Sequence, residues 1–250
     1  MRCLLVLWDI DFTLMDAGGV GTRLYRMVFR DMFDTDLPAA ANMAGRTDRA
    51  IVLDTLARAG IPEPRQHLDQ FLARLAALAP AGRELTEQHS RALPGAAAAL
   101  DALAAFAPGR NGASADGAGE PDQQVCVVQS VLTGNVRPMA EMKLGALGLD
   151  GHLDLEAGAY GESHEVRAEL VHMARGNATR RYGTDFSGPA TVLVGDTPLD
   201  VAAALETGAR AVAVATGGTT AAALAESGAH AVLPDLTDTP AVLAAILARP

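Results

Sequence analysis

Short apolar runs rich in Val and Leu recur along the chain at residues 3–8, 125–132, 191–194, 211–214 and 231–233, each separated from the next by segments with helical spacing of apolar side chains. Runs this short, apolar throughout rather than alternating, suit strands covered on both faces, so the pattern predicts an α/β fold: a Rossmann-like parallel sheet with helices on both sides. A weaker strand is expected at residues 153–157.

Residues 9–124 contain no convincing strand, far more chain than one crossover helix needs. Within them Leu24, Val28 and Met32, and likewise Tyr25, Phe29 and Phe33, recur at helical spacing. Further helices are expected over 48–59, closed by Gly60-Ile61-Pro62, over 65–79, and over 95–106, opened by Pro94. The spacing thus predicts a small helical domain at 17–92 inserted into a discontinuous core of 1–16 and 93–250. Gly18, Gly19 and Gly21 stand at the first junction and suit either a hinge or a tight solvent loop. Residues 108–124, almost all small or polar, are expected to form a flexible insertion within the core. Met27, Met32, Met139, Met142 and Met173 lie on helical stretches and read as core filler.

Two carboxylates, Asp9 and Asp11, end the first apolar run. An unpaired buried charge costs several kcal/mol, roughly the penalty of ion desolvation, so the pair is expected to meet a cation or a substrate. The carboxyl ends of parallel strands form the ligand crevice of such sheets. Capping of a turn is the plain alternative. Three later segments add to the picture: Thr133-Gly134-Asn135 after the second run, a basic residue further on, and Gly195-Asp196-Thr197-Pro198-Leu199-Asp200 after the third.

In that order, these segments resemble the motifs of the haloacid dehalogenase-like hydrolase superfamily, and within it the phosphoglycolate phosphatase-like branch. The resemblance spans nearly the whole chain. It implies an inserted helical cap and a Mg²⁺-dependent phosphatase acting on a small phosphorylated metabolite through an aspartyl-phosphate. Asp9 would be the nucleophile and Asp11 the acid and base; the second aspartate favours phosphoryl chemistry over carbon–halogen cleavage. Mg²⁺ would be held by Asp9, Asp196 and the main-chain carbonyl of Asp11, with Asp200 behind them; such hard oxygen ligands suit this ion. Asp196 before Thr-Pro would equally serve as a helix N-cap. Thr133, Gly134 and Asn135 would cradle phosphoryl oxygens, or form an ordinary turn. The basic residue of the third motif is Arg167, with Lys143 the rival. Thr13 would hold the loop through a hydrogen bond to backbone. Arg46, in Gly45-Arg46-Thr47-Asp48, would touch substrate or be solvated beside a helix cap; His164 reads as an exposed residue at a helix start.

Composition narrows the alternatives. The chain is 49 % apolar and 20 % charged, with 30 acidic against 20 basic residues and a net charge of −10. A polyanion would be repelled at long range, so nucleic acid is not an expected partner. The first apolar run is too short for a signal peptide or a membrane span, and Cys3 and Cys126 fall inside apolar runs where cysteine acts as a small hydrophobe, so a reducing, cytoplasmic setting is expected. Two other functions share these motifs: a phosphosugar mutase of the same superfamily, and a phosphoacceptor or ligand-binding module without turnover. Oligomeric state is not encoded in any of these features.

Overall fold

The computed structural model describes residues 2–39, 41–108 and 125–249. Nearly all of the 108–124 insertion lies outside the described residues.

Five parallel strands form the sheet: β1 (Arg2–Trp8), β4 (Val125–Val131), β5 (Thr191–Gly195), β6 (Arg210–Val214) and β7 (Ala231–Leu233), in the spatial order β4-β1-β5-β6-β7. β1 is an inner strand, so its carboxyl end opens between those of β4 and β5. The period of two sorts its side chains. Val6 and Trp8 face a layer built by α5 (Ala96–Ala104), α6 (Arg137–Ala146) and α10 (Thr239–Leu247). Leu5 and Leu7 face α7 (Arg167–Tyr182), α8 (Pro198–Glu206) and α9 (Ala221–Glu226). Both faces are apolar because both are covered.

The weak strand expected at 153–157 is corrected. Residues Leu155–Ala157 form one 3₁₀ turn started by Asp154, whose side chain accepts from the Glu156 N–H. The Asp154 cap offers the backbone a local bond that competes with sheet pairing. Only an isolated bridge, Leu132 to Ala159, continues the sheet there.

Between β2 (Met15–Asp16) and β3 (Arg91–Ala92), which pair antiparallel, the chain makes four helices: α1 (Val20–Phe33), α2 (Asp48–Arg58), α3 (Pro64–Ala77) and α4 (Ala79–His89). The short pair and α4 were not legible in the apolar spacing, since β2 and β3 have two residues each and α4 buries only Gly82 and Thr86. The two chain crossings lie side by side. Gly18, at φ 56°, has no room for a Cβ, which would meet the His89 carbonyl oxygen at 2.0 Å. Leu24, Val28, Phe29, Val52, Leu56, Phe71 and Leu75 form a separate apolar cluster. Met139 and Met142 of α6 join that cluster, while Ala140 and Leu144 of the same helix face the sheet, so α6 is the wedge between helical cap and core. Met139 and Met142 are the core filler expected; Met27 and Met173, by contrast, are exposed, on the outer faces of α1 and α7.

The expectation for the cysteines is also corrected. Cys3 and Cys126 face each other in register across β1 and β4, with Cα atoms 4.4 Å apart, and form a disulfide. Their adjacency depends on strand order and register, which apolar runs alone do not specify.

Candidate active site

Asp9 ends β1, its N–H donating to the Val194 carbonyl of β5 at 2.8 Å. This bond continues the sheet and carries the side chain to the carboxyl edge, where it is buried. Arg167, the first residue of α7, donates from Nη2 to Asp9 Oδ1 at 2.7 Å and lies 2.6 Å from Asp200 Oδ1. It also reaches the Leu132 carbonyl and the cap's Gly45 carbonyl. Of the two bases considered for this place, Arg167 is the one on Asp9.

Thr197, not Asp196, caps α8. Its hydroxyl accepts from the Asp200 N–H, while Asp200 Oδ2 accepts from the Thr197 N–H and hydroxyl, a complete capping box. Asp196 is thereby left free of capping duty. Carboxylate oxygens of Asp9, Asp196 and Asp200 all lie within 4.8 Å of one another, in buried positions. Gly217 backs Asp196 so closely that a Cβ would meet Asp196 Oδ2 at 1.8 Å.

The charges of this cluster do not balance. Three carboxylates share one guanidinium. Burial is the main cause that pushes Asp9 up to about 7, Arg167 opposing it and Asp200 and Asp11 adding to it. Burial, then Asp9 and Asp200, push Asp196 up to about 8. For Arg167 burial acts downward, but Asp200 and Asp9 outweigh it and raise it above its ordinary value. No side-chain donor among the described residues bonds the Asp196 carboxylate. A buried set of hard oxygens with excess negative charge fits a divalent cation such as Mg²⁺.

That imbalance has a measurable consequence. Carboxyl groups raised in the fold favour the folded state below their ordinary value near 3.8, and this contribution is lost as pH rises through about 7 to 8. The metal-free protein should therefore lose thermal stability between about pH 4 and pH 8. Mg²⁺ at a hundred times its Kd should raise Tm by about 5–10 °C, and one fixed Mg²⁺ concentration should raise it by more at pH 8 than at pH 5.5. Differential scanning calorimetry with Mg²⁺ and with EDTA checks both.

Asp11 has different partners. Lys143 Nζ lies 2.8 Å from each of its oxygens and Asn135 Nδ2 donates to Oδ2 at 2.7 Å. Phe12, next in sequence, is in the left-handed region at φ 61° and is 43 % exposed at the mouth of the cleft. Its N–H donates to the Met15 carbonyl and its own carbonyl accepts from the Thr216 hydroxyl, which hold this uncommon conformation in place. Thr13 departs from expectation: its buried hydroxyl has no partner among the described residues, and only its N–H joins the turn, donating to the Ile10 carbonyl.

Thr133 and Asn135 accept and donate within the loop, Asn135 N and Nδ2 both donating to Thr133 Oγ1. The Gly134 N–H makes no hydrogen bond among the described residues, and it shares the cavity with Thr133. Gly134 also meets the cap: a Cβ there would lie 1.9 Å from the Arg46 carbonyl oxygen. Along this seam the Asp48 N–H donates to the Gly134 carbonyl, the Val136 N–H donates to Asp48 Oδ2, and Tyr25 Oη donates to Asp48 Oδ1 at 2.6 Å. Burial pushes Asp48 up to about 6 against these donors. Thr47 and Asp48 are both candidates to cap this helix from the sequence; Thr47 is the cap, and Asp48 is the seam's buried anchor.

The Arg46 side chain has partners within the cap. Its guanidinium pairs with Asp54 at 2.8 Å and donates to the Asn42 and Ala50 carbonyls. Arg46 lines the cavity, and its carbonyl oxygen lies against Gly134. His164 is exposed and accepts from the Val166 N–H, as a residue at a helix start.

A cavity of about 640 Å³ connects these groups. Asp9, Asp11, Thr133, Gly134, Asn135, Lys143, Arg167 and Asp196 line its floor, and Leu24, Ala41, Met43, Ala44, Ile51 and Leu75 of the cap line much of its roof.

A family model described as HAD-hydrolase-like matches residues 169–239. The chain superposes on a haloacid dehalogenase-like family hydrolase from Streptococcus pneumoniae with a TM-score of 0.59, at 14 % identity, covering 96 % of this chain and 97 % of that one. The fold is that of the haloacid dehalogenase-like hydrolases. A HAD family hydrolase from Deinococcus radiodurans R1 with bound phosphate and sodium is similar at a TM-score of 0.52 and 21 % identity, covering 97 % and 95 % of the two chains. A "predicted phosphatase" from Clostridium acetobutylicum gives a TM-score of 0.64 at 14 % identity, covering 97 % and 99 %. Among curated proteins none matches the chain. In the haloacid dehalogenase-like fold the acids, Thr133 and Arg167 come from four separate segments, and the sheet's carboxyl edge is what gathers them.

Proposed function

We propose that the protein is a Mg²⁺-dependent phosphatase that hydrolyses a small phosphorylated metabolite through an aspartyl-phosphate on Asp9. The observation that carries this reading is the buried cluster of Asp9, Asp196 and Asp200 around Arg167, with Asp11 held beside it on the same cavity. Mg²⁺ would be held by Asp9, Asp196 and the main-chain carbonyl of Asp11, and would neutralise phosphoryl oxygens.

The residues divide the remaining work. An Asp9 oxygen attacks phosphorus, the bond to the ester oxygen breaks, and that oxygen takes a proton from Asp11. Arg167 keeps Asp9 oriented and offsets charge at the phosphoryl group, while the Gly134 N–H and the Thr133 hydroxyl are donors within reach of the same cavity. Water then attacks phosphorus, the phosphorus–oxygen bond to Asp9 breaks to return the carboxylate, and the water proton passes to Asp11.

The cap wall is mixed, with Leu24, Met43, Ile51 and Leu75 beside Thr22, Tyr25, Arg26, Asn42 and Arg46, so hydrolysis is separated from the mutase alternative by the product formed. A receiver-like module without turnover would not need such a roof. Among the described residues no helix is long and apolar enough to cross a membrane. A cytoplasmic location fits metabolite chemistry; there the Cys3–Cys126 pair would meet thiol reductants.

A panel of phosphorylated metabolites and para-nitrophenyl phosphate, assayed for inorganic phosphate with Mg²⁺ and with EDTA, tests this. Phosphate release with Mg²⁺ that EDTA abolishes is expected. Isomerised sugar phosphate without free phosphate would replace hydrolysis by mutase chemistry, and a long-lived phosphoprotein without turnover would make it a switch.

A further inference from the structure

Lys143 is the chain's one lysine among 20 basic residues, and it is only 3 % exposed. An ammonium has three N–H donors, and when buried it must place all of them. Here the three acceptors are Asp11 Oδ1 at 2.8 Å, Asp11 Oδ2 at 2.8 Å and Asn135 Oδ1 at 2.7 Å. Asn135 in turn donates to Asp11 Oδ2 and Thr133 Oγ1, closing a network over the Thr133-Gly134-Asn135 loop. The Asp11 side chain remains 29 % exposed, so one edge of it still faces the cavity.

A guanidinium does not fit this place. It is a planar fork, larger than an ammonium, and would displace either Asp11 or Asn135 rather than bond both. Everywhere else the chain uses arginine, including at the buried Arg167.

We infer that Lys143 is a positioning residue that fixes Asp11 for the second half of the reaction, the hydrolysis of the aspartyl-phosphate. This rests on the phosphatase reading above. In that step a water oxygen bonds phosphorus, the phosphorus–oxygen bond to Asp9 breaks with its electron pair returning to the Asp9 carboxylate, and the water proton passes to the Asp11 carboxylate. Asp11 must point one oxygen at water while the other bonds stay made, and Lys143 with Asn135 supplies that constraint. The first half-reaction on an aryl phosphate makes no such demand, because the departing phenolate is stable without a proton.

Lys143→Met, of similar length and without charge, separates the two steps. With para-nitrophenyl phosphate it should give a rapid burst of about one nitrophenol per site, followed by a steady state at least about ten-fold slower than wild type. Acid quench should trap most sites as phosphoenzyme. Lys143→Arg should not rescue. In an Asp11→Asn background Lys143→Met should cause little further loss, as expected of residues acting as a unit. Loss of turnover with no burst and no trapped phosphoenzyme, rescue by arginine, or additive losses would each overturn the inference. Should Lys143→Met fold poorly, Asn135→Ala removes the other half of the constraint and should show the same burst. A wild-type protein that releases no phosphate from any substrate would remove the phosphatase reading itself, whereas active wild type with an unaltered variant removes only the role of Lys143.

Discussion

Asp9→Asn lowers phosphate release at least about a thousand-fold, the scale of losing a covalent nucleophile, while the protein stays folded. The amide oxygen still accepts from Arg167, so the contact at 2.7 Å survives without the charge. Because Asp9 is raised to about 7 by burial and by its acidic neighbours, its charged form is disfavoured in the fold. Removing that charge leaves Asp196 and Asp200 against Arg167. The metal-free Tm at pH 8 should hence be equal to or above that of the wild type, and the rise in Tm with Mg²⁺ should shrink. Phosphate assay and calorimetry on one preparation read both. Retained turnover would end the assignment of Asp9 as nucleophile, and a collapsed Tm would recast it as a structural residue.

Arg167→Met is expected to have the largest effect on stability. It strands Asp9 and Asp200 in buried positions, and breaking a buried pair from one side costs about 3–5 kcal/mol. The sign with pH follows from the carboxylates. Without the guanidinium that opposes their rise, Asp9 and Asp196 are raised further, so stability kept at low pH is lost over a wider range as pH climbs. The deficit against wild type should be small near pH 4 and greatest near pH 8, with Mg²⁺ restoring part of it. Phosphate release should fall about a hundred-fold or more, since both the orientation of Asp9 and a positive charge on the phosphoryl group are gone. Urea unfolding at several pH values measures the deficit. A loss independent of pH would show that Arg167 acts by packing alone.

The cap side of the site was the least legible part. Arg46 stands beside a helix start, yet Asp54, nearly two turns into α2, holds it, and the neighbouring Asp48 is the residue that anchors cap to core. Both are acids on one short helix, and what distinguishes them is which face meets Tyr25 and the Val136 N–H. That is decided by packing between α1, α2 and α6. In the sequence Lys143 stands only as an alternative to Arg167 for a single task. The structure gives each of them its own aspartate. The signal that would have separated them was present in composition, as the lone lysine of an arginine-rich chain, but composition does not say what a side chain touches.

By itself the sequence determined the layered α/β core, the inserted helices and the placing of Asp9, Asp11 and Asp196 just after apolar strands, because two-sided burial forces short apolar strands and leaves the acids at their carboxyl edge. Strand order, register and the packing of cap on α6 decided the rest: the joined cysteines, the Asp48 seam, the unpartnered Thr13 hydroxyl and the division of labour between Arg167 and Lys143. Those features depend on distances between segments far apart in the chain. Periodicity fixes which face a residue occupies within its own element, and only the assembled fold fixes what lies opposite.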